Sequence, residues 1–266
     1  MQLKSPAEIS AAATAAGSRK AGMLRASAAR LLVSSALAGA FIAFGGVLSL
    51  IIGRGFPGLA EANPALPRLL SGAVFPVGLI LVVVLGVELF TGNNALLIPG
   101  YMSRRHTLKD VVLNWTVVYL GNFIGAVLFT WLMVYACGLT AVEPWHSAII
   151  SIAEAKVSMS WLTVFLRGVG ANWCVCLAVW LALSGHNLVE KMAGCWVPVM
   201  MFVALGYEHC VANMFFIPLG MMEGADVGVA QALTANFIPA TLGNIAGGAL
   251  LVGTIHTWLH RPHTPL

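Results

Sequence analysis

Two interrupted apolar segments carry the same polar pattern, and this repeat constrains the fold more than any other feature. Residues 88–99 read ELFTGNNALLIP and residues 208–218 read EHCVANMFFIP, with the glutamates 120 residues apart. A second pattern follows each segment: Leu-Gly-Asn with a glycine three residues later begins at Leu120 and again at Leu242. Two matching patterns in the same order indicate that the chain consists of two related halves.

The apolar runs around these motifs predict a membrane protein. Only 9% of the residues are charged, whereas a soluble domain carries about 25%. A membrane-spanning helix needs about 20 mostly apolar residues. On this basis the sequence predicts six spans, over residues 31–52, 70–101, 111–137, 161–183, 192–222 and 233–258. The second and fifth spans are interrupted, at residues 88–94 and 208–213.

An odd number of spans in each half predicts the topology. With three spans each, the second half enters the membrane from the opposite face, so the halves are inverted repeats of about residues 31–138 and 158–260. The predicted fold class is therefore an all-α membrane protein with broken second and fifth helices. Half-helix N-termini at such breaks direct partial positive charge towards an anion near the midplane, which makes the breaks the best candidates for a permeation path.

The basic residues predict the orientation. Of the 14 Lys and Arg, ten fall on the side of the termini, while the other side holds Arg54, Arg68, Lys156 and Arg167. By the positive-inside rule both termini are cytoplasmic, which predicts a multi-pass protein of the inner (plasma) membrane. Residues 1–30 are expected to form a cytoplasmic helical segment, and residues 261–266 a cytoplasmic tail.

The start of the chain carries a helix signal. Ser5, Pro6 and Glu8 have the spacing of a capping box with proline in the first turn. Gly17 is a candidate for the end of this helix.

The breaks hold the ionisable residues with the strongest claim to function. His209 lies deep in the fifth span, where an ionisable side chain is a functional candidate by default; the alternative is a neutral imidazole that only bonds to backbone. Glu88 and Glu208 are expected to hold the break loops by accepting hydrogen bonds, together with Asn93 and Asn213, although a proton relay is an alternative.

Other classes of protein find little support. The chain has no HExxH, no GxSxG and no pair of intramembrane aspartates, so we expect it not to be an enzyme. It has no Lys/Arg-rich run, which argues against nucleic-acid binding. Cys174 and Cys176 lack metal-site spacing, and His256 and His260 lie at a span end without an acidic partner in their segment, as does the nearby His263, so no metal or cofactor is expected. A neutral-solute pore and a non-transporting structural protein stay open as alternatives.

At these residues the chain resembles the formate/nitrite transporter family over residues 1 to 260. The resemblance rests on ELFTGN at 88–93, Ala-Asn at 171–172, GYEHCVANM at 206–214, IPLG at 217–220 and GNI at 243–245. It implies a homopentamer of aquaporin-like protomers, each with its own pore, surrounded by lipid. It also implies that the N-terminal helix is a cytoplasmic gating segment.

The resemblance also implies residue roles. His209 would be the central pore histidine, with Thr91 bonded to it and Asn172 lining the same chamber, while Lys156 would draw anions into the outer vestibule. The constrictions would be formed by Leu79, Leu89 and Phe90 on the cytoplasmic side and by Phe75 and Phe202 on the outer side. Leu89 and Phe90 lie beside the first break, where they could form an apolar constriction, but periodicity alone favours ordinary core packing for both.

The family motifs do not separate formate, nitrite and hydrosulfide carriers. The IPLG segment favours formate, although many formate channels carry Asp-Leu-Phe-Thr-Ser where this chain has Glu-Leu-Phe-Thr-Gly. We expect the central histidine to make permeation depend on pH, either as an imidazolium that neutralises the anion or by passing a proton so that neutral acid crosses the apolar constriction.

Overall fold

The structure is a computed structural model that describes residues 4–260. The tail predicted at 261–266, with Arg261 and His263, lies outside the described residues. Within residues 4–260 the secondary structure is helical, which confirms the all-α prediction.

The first half of the chain forms seven helices. They are α1 (Pro6–Ala26), α2 (Ala28–Arg54), α3 (Pro57–Ala62), α4 (Ala65–Val74), α5 (Val77–Leu85), α6 (Phe90–Met102) and α7 (Leu108–Phe129). Helix α7 continues as a π-helical turn over Thr130–Tyr135.

The second half forms five helices. They are α8 (Trp145–Ser158), α9 (Trp161–Ser184), α10 (Leu188–Leu205), α11 (Cys210–Met222) and α12 (Val229–Leu259). Helix α12 includes two π-helical stretches, Ala232–Phe237 and Ala246–Thr254.

Six helical segments are long and apolar enough to cross a bilayer. They are Ala28–Arg54, Ala65–Leu85, Leu108–Tyr135, Trp161–Ser184, Leu188–Leu205 and Val229–Leu259. Six spans are therefore confirmed, although the second and fifth end at Leu85 and Leu205 rather than at residues 101 and 222. The fourth begins at residue 161 as predicted, and the other five helices begin a few residues earlier than hydropathy indicates. Capped polar turns extend them beyond the apolar run: Thr107, for example, caps α7 with Asp110.

Both predicted breaks are present but lie earlier in the chain, at residues 86–89 and 206–209. Residues 90–94 and 210–213, predicted as parts of the breaks, are helical. Gly86 caps the C-terminus of α5 and Gly206 that of α10, with φ of 70° and 74° respectively. Glycine adopts this left-handed conformation without steric penalty and commonly terminates helices. Three non-helical residues follow each glycine, and then α6 begins at Phe90 and α11 at Cys210.

Helix α1 begins as predicted but continues further. The Ser5 hydroxyl oxygen accepts the Glu8 N–H, and the Glu8 carboxylate accepts the backbone N–H and the hydroxyl of Ser5. The two bonds that Ser5 donates hold the pKa of the Glu8 carboxyl below its ordinary value. The expectation that Gly17 ends the helix is wrong, because α1 runs to Ala26. A Cβ at Gly17 would lie 1.9 Å from the Leu96 carbonyl oxygen, so this glycine lets α1 pack closely against α6.

The repeated glycines also bring helices together. A Cβ at Gly125 of α7 would lie 1.8 Å from the Ala36 carbonyl oxygen on α2, and one at Gly247 of α12 would lie 2.2 Å from the Val169 carbonyl oxygen on α9. Only glycine permits this separation, so both glycines allow close packing of their helices.

Candidate functional site

The first break is held by an asparagine from the following span. Asn122 Oδ1 accepts the Phe90 N–H at 2.9 Å, and its Nδ2 donates to the carbonyl oxygens of Ser35 at 2.7 Å and Glu88 at 2.9 Å. Asn122 is fully buried. It therefore satisfies backbone groups that the missing helical turn leaves unpaired, as any break at membrane depth requires.

The second break repeats this arrangement. Asn244 Oδ1 accepts the Cys210 N–H at 2.8 Å, and its Nδ2 donates to the carbonyl oxygens of Gly168 at 2.8 Å and Glu208 at 2.9 Å. The same three bonds therefore occur in both halves of the molecule.

Glu88, at the first break, has a lysine partner. Its Oε1 lies 2.6 Å from Lys20 Nζ on α1, and its Oε2 accepts Asn93 Nδ2 at 2.8 Å. Asn114 joins both partners, since it accepts Asn93 Nδ2 at 2.9 Å and donates to the Lys20 carbonyl at 3.1 Å. The carboxylate is buried but compensated.

Glu208, at the second break, is held in the same way. Its Oε1 lies 2.8 Å from Lys156 Nζ, and its Oε2 accepts the side-chain amides of Asn213 at 2.8 Å and Asn236 at 3.0 Å. Asn236 also donates to the Lys156 carbonyl at 3.0 Å. Lys156, which is partly buried, and the buried Glu208 thus form an ion pair, and Asn236 bonds to both residues.

His209 is buried between the two breaks. Its Nε2 lies 3.0 Å from Thr91 Oγ1, and its Nδ1 accepts the Ala212 N–H at 3.1 Å. The Phe202 ring stacks on the imidazole with 5.6 Å between ring centroids. Because a backbone N–H only donates, Nδ1 carries the lone pair, and this geometry suits a neutral imidazole with its proton on Nε2 directed at Thr91.

A cavity of about 650 Å³ leads to this histidine. We call it the His209 cavity. Its lining includes Phe75, Phe202, His209, Lys156, Glu208, Arg54 and Arg68. The Phe75 and Phe202 rings meet edge to face, 5.7 Å apart, beside the histidine.

A second cavity, of about 240 Å³, reaches the first break. We call it the Leu89 cavity. Its lining includes Leu79, Leu89, Gly92, Lys4, Lys20 and Lys191. The two breaks therefore open on two different cavities, one presenting an imidazole and the other apolar side chains.

Comparison with known proteins identifies the family. The sequence profile described as "Formate/nitrite transporter" matches residues 7–258. The chain is a member of the formate/nitrite transporter family. It is therefore a multi-pass membrane transport protein rather than an enzyme, which confirms both sequence predictions.

Individual proteins that are similar to this chain support the family assignment. A probable formate transporter of Methanothermobacter thermautotrophicus is 40% identical and covers 97% of each chain. The structure of an FNT family ion channel aligns with a TM-score of 0.87 at 29% identity, covering 96% of this chain and 99% of that one. A pentameric formate channel with formate bound aligns with a TM-score of 0.77 at 32% identity, covering 88% and 98%. The predicted fold, with its inverted aquaporin-like repeats, is confirmed.

Two residues assigned through the resemblance have other contacts. The Phe90 ring packs edge-on against Tyr119 and Trp115 of α7, with ring centroids 5.0 and 6.4 Å away. Asn172 Nδ2 donates to the carbonyl oxygens of Thr91 at 3.2 Å and Asn244 at 2.7 Å. Phe90 therefore packs in the core, and Asn172 fixes the backbone that carries Thr91; their pore-lining roles stay predictions.

Several residues of the site were not identified from the sequence of this family member. Asn114 and Asn236 are 122 residues apart, the offset that relates the two Leu-Gly-Asn motifs, so the repeat contains the signal that locates them. Lys20 has no such signal, because its partner depends on where α1 docks. In residues 4–260 no group of three potential metal-ligating side chains forms a metal site.

Proposed function

We propose that the chain conducts formate across the plasma (inner) membrane as one protomer of a homopentamer. The observation that supports this most directly is the buried His209–Thr91 pair at the end of a basic cavity. The relatives named for formate, one of them a pentamer, support both the substrate and the assembly. Nitrite and hydrosulfide are alternative substrates for the same path.

The charge that attracts an anion into the His209 cavity comes, in this proposal, from arginines. Lys156 is neutralised by Glu208 at 2.8 Å, so its field falls off quickly with distance. Arg54 and Arg68 also line the cavity, and neither side chain has a hydrogen-bond or ion-pair partner among the described residues. Their two uncompensated charges raise the local anion concentration, while Lys156 receives the anion deeper in the cavity.

The Leu89 cavity has the same sign of charge. Three lysines line it: Lys4, Lys20 and Lys191. Lys20 is paired with Glu88, whereas Lys4 donates to the Leu183 carbonyl at 2.7 Å and forms no ion pair among the described residues. Basic residues at both ends support permeation of an anion in either direction.

An anion that leaves either cavity must lose water beside apolar side chains. Leu79 and Leu89 are almost fully buried, and transfer of a bare charge into such surroundings is strongly unfavourable. His209 offsets this penalty by donating from Nε2, with Thr91 as a second polar contact. When Nδ1 binds a proton it can no longer accept the Ala212 N–H, so full protonation of the imidazole removes this hydrogen bond at the second break.

The excess of basic residues on the terminal side supports cytoplasmic termini. In this arrangement residues 1–30 are a cytoplasmic segment that contains α1, residues 31–260 are the channel domain, and residues 261–266 are a tail. The His209 cavity then faces outwards and the Leu89 cavity faces the cytoplasm.

Anion flux in proteoliposomes tests the proposal. Formate, nitrite, hydrosulfide, acetate and chloride are compared at neutral and acidic pH, with empty liposomes as the baseline. A preference for formate that changes with pH supports formate as the substrate. A preference for nitrite or hydrosulfide would assign that anion as the substrate instead. Flux of none of these anions above the baseline would overturn it and leave the neutral-solute or structural alternatives.

A further inference from the structure

A third cavity lies apart from the permeation path. It has a volume of about 460 Å³ and is formed by α1 and the turn that joins α6 to α7. We call it the Arg104 pocket. Its lining includes Ser18, Arg25, Arg104, Arg105, His106 and Asp110. None of these residues lines the His209 cavity or the Leu89 cavity.

The pocket carries excess positive charge. Asp110 is its one acidic residue, and its carboxylate is already occupied by Arg25 and by the hydroxyl and N–H of Thr107. Arg104 and Arg105 have no side-chain partner in the described part of the chain. Two guanidinium groups are therefore available to an anion.

The backbone at Arg104 is a second, independent indication. Arg104, two residues after the end of α6, has φ 55°, and Gly224, two residues after the end of the repeat counterpart α11, has φ 102°. The terminal bonds correspond: Arg105 N donates to the Gly100 carbonyl, and Ala225 N to the Gly220 carbonyl, both at 2.8 Å. Glycine is the residue that this left-handed position favours. The first half instead carries an arginine at unfavourable backbone angles, a pattern that often marks a functional side chain.

His106 adds an unpaired polar atom. Its Nε2 lies 2.9 Å from the Leu97 carbonyl oxygen and so donates to it. Its Nδ1 is buried and has no partner among the described residues. That nitrogen lies near Gly100, where a Cβ would be 3.0 Å from it and 3.2 Å from Ser18 Oγ, another residue of the pocket lining. A buried side-chain nitrogen without a hydrogen-bond partner is unusual in a folded protein.

We propose that the Arg104 pocket binds a phosphate ester. Guanidinium groups match phosphate oxygens with paired hydrogen bonds. His106 Nδ1 accepts a hydroxyl of the ligand, either the P–OH of a phosphate monoester or inorganic phosphate or a hydroxyl of a lipid headgroup. The volume lies in the range of small-molecule sites. The ester is either a lipid headgroup, which a basic pocket at a membrane face attracts, or a soluble phosphate compound. Because Arg25 and Ser18 belong to α1, the bound phosphate joins α1 to the α6–α7 turn.

Thermal unfolding of the purified full-length chain tests this in two arms. The first compares inorganic phosphate with chloride at matched ionic strength in detergent. The second compares phosphatidylcholine nanodiscs with and without phosphatidylglycerol. A ligand that binds only the folded state raises the unfolding midpoint, and we expect about 3 °C or more near saturation. A rise only with phosphate identifies a soluble ester, a rise only with phosphatidylglycerol identifies a lipid, and a rise in both supports the shared chemistry.

The variant Arg104→Gly separates binding from folding. Glycine relieves the left-handed backbone, so we expect this variant to unfold at a higher temperature than the wild type without ligand, yet to lose the ligand-induced rise. Arg105→Gln should weaken the rise, whereas Arg30→Gln, at an exposed arginine outside the pocket, should keep it. The proposal is overturned if neither ligand raises the unfolding midpoint of the wild type. It is also overturned if Arg104→Gly keeps the full ligand-induced rise, or if Arg30→Gln loses as much of that rise as Arg104→Gly.

Discussion

Leu89 and His209 occupy equivalent positions in the two inverted repeats. Each is the last extended residue before a buried half-helix, with φ and ψ of −106° and 126° at Leu89 and −101° and 114° at His209. Each follows a glutamate whose carboxylate is paired with a lysine. The backbone is thus symmetric, whereas the side chains differ: one break presents an apolar group to its cavity and the other an imidazole. This difference makes the two breaks chemically unlike in the proposed permeation path.

Replacement of His209 by asparagine should lower flux and remove its pH dependence. A hydrogen bond to a charged group contributes about 1.5–3 kcal/mol, so we expect roughly a ten- to hundredfold lower formate flux. The measurement is proteoliposome flux across a pH series from neutral to acidic. His256→Asn, at a histidine of α12 outside both cavities, should keep the wild-type profile. An unchanged profile in His209→Asn would exclude both the imidazolium and the proton-passing hypotheses.

Neutralising Arg54 and Arg68 should weaken anion capture without slowing the saturated rate. The double variant Arg54→Gln/Arg68→Gln removes the uncompensated charge of the His209 cavity, so the half-saturating anion concentration should rise several-fold. Its dependence on ionic strength should also flatten, since salt screens exposed charges. Arg167→Gln is the matched control, because Arg167 does not line this cavity and lies 3.1 Å from Met159 Sδ. Equal effects in the double variant and the control would show that the capture is not local to the cavity.

The sequence predicted the breaks because their signal is local and repeated. Glu88 begins a motif of 12 residues and Glu208 a matching motif of 11. The match indicated two related halves, which divide the six spans into three each. The ion pair between Lys20 and Glu88 could not be predicted from the sequence, because the two residues meet only when α1 packs on α6. Gly17 shows the same limit: a glycine that ends a helix and one that permits close helix packing look alike in a single sequence.

The break asparagines should be the most sensitive polar positions of the fold. Asn244→Leu leaves the Cys210 N–H and the carbonyl oxygens of Gly168 and Glu208 without this partner, and each unpaired buried group costs about 1–3 kcal/mol. We therefore expect a loss of about 3 kcal/mol or more in unfolding free energy, measured by denaturant unfolding in detergent. Asn122→Leu should behave alike, because its three bonds are equivalent.

The control for these asparagines is Thr234→Val. The Thr234 hydroxyl is exposed and bonds only to the Ala230 carbonyl of its own helix, so the change should stay within about 0.5 kcal/mol. If Asn244→Leu is equally mild, the breaks are held by other contacts than the asparagine bonds.

Two glycines of α1 give opposite predictions for the same substitution. A Cβ at Gly17 would lie 1.9 Å from the Leu96 carbonyl oxygen, whereas one at Gly22 would meet nothing within 4 Å. Gly17→Ala should therefore push α1 away from α6 and loosen the Lys20–Glu88 pair. Gly22→Ala should stabilise the helix by about 1 kcal/mol through its higher helix propensity.

Limited trypsin digestion of the detergent-solubilised chain, followed by intact mass, measures the difference. Cleavage after Lys20 and Arg25 should be several-fold faster than wild type in Gly17→Ala, because the segment spends more time undocked, and no faster than wild type in Gly22→Ala. Formate flux measured on the same preparations then shows whether α1 affects the path. Equal cleavage in both variants would mean that α1 is not held by its contact with α6. Faster cleavage in Gly17→Ala with unchanged flux would mean that docking of α1 does not control permeation.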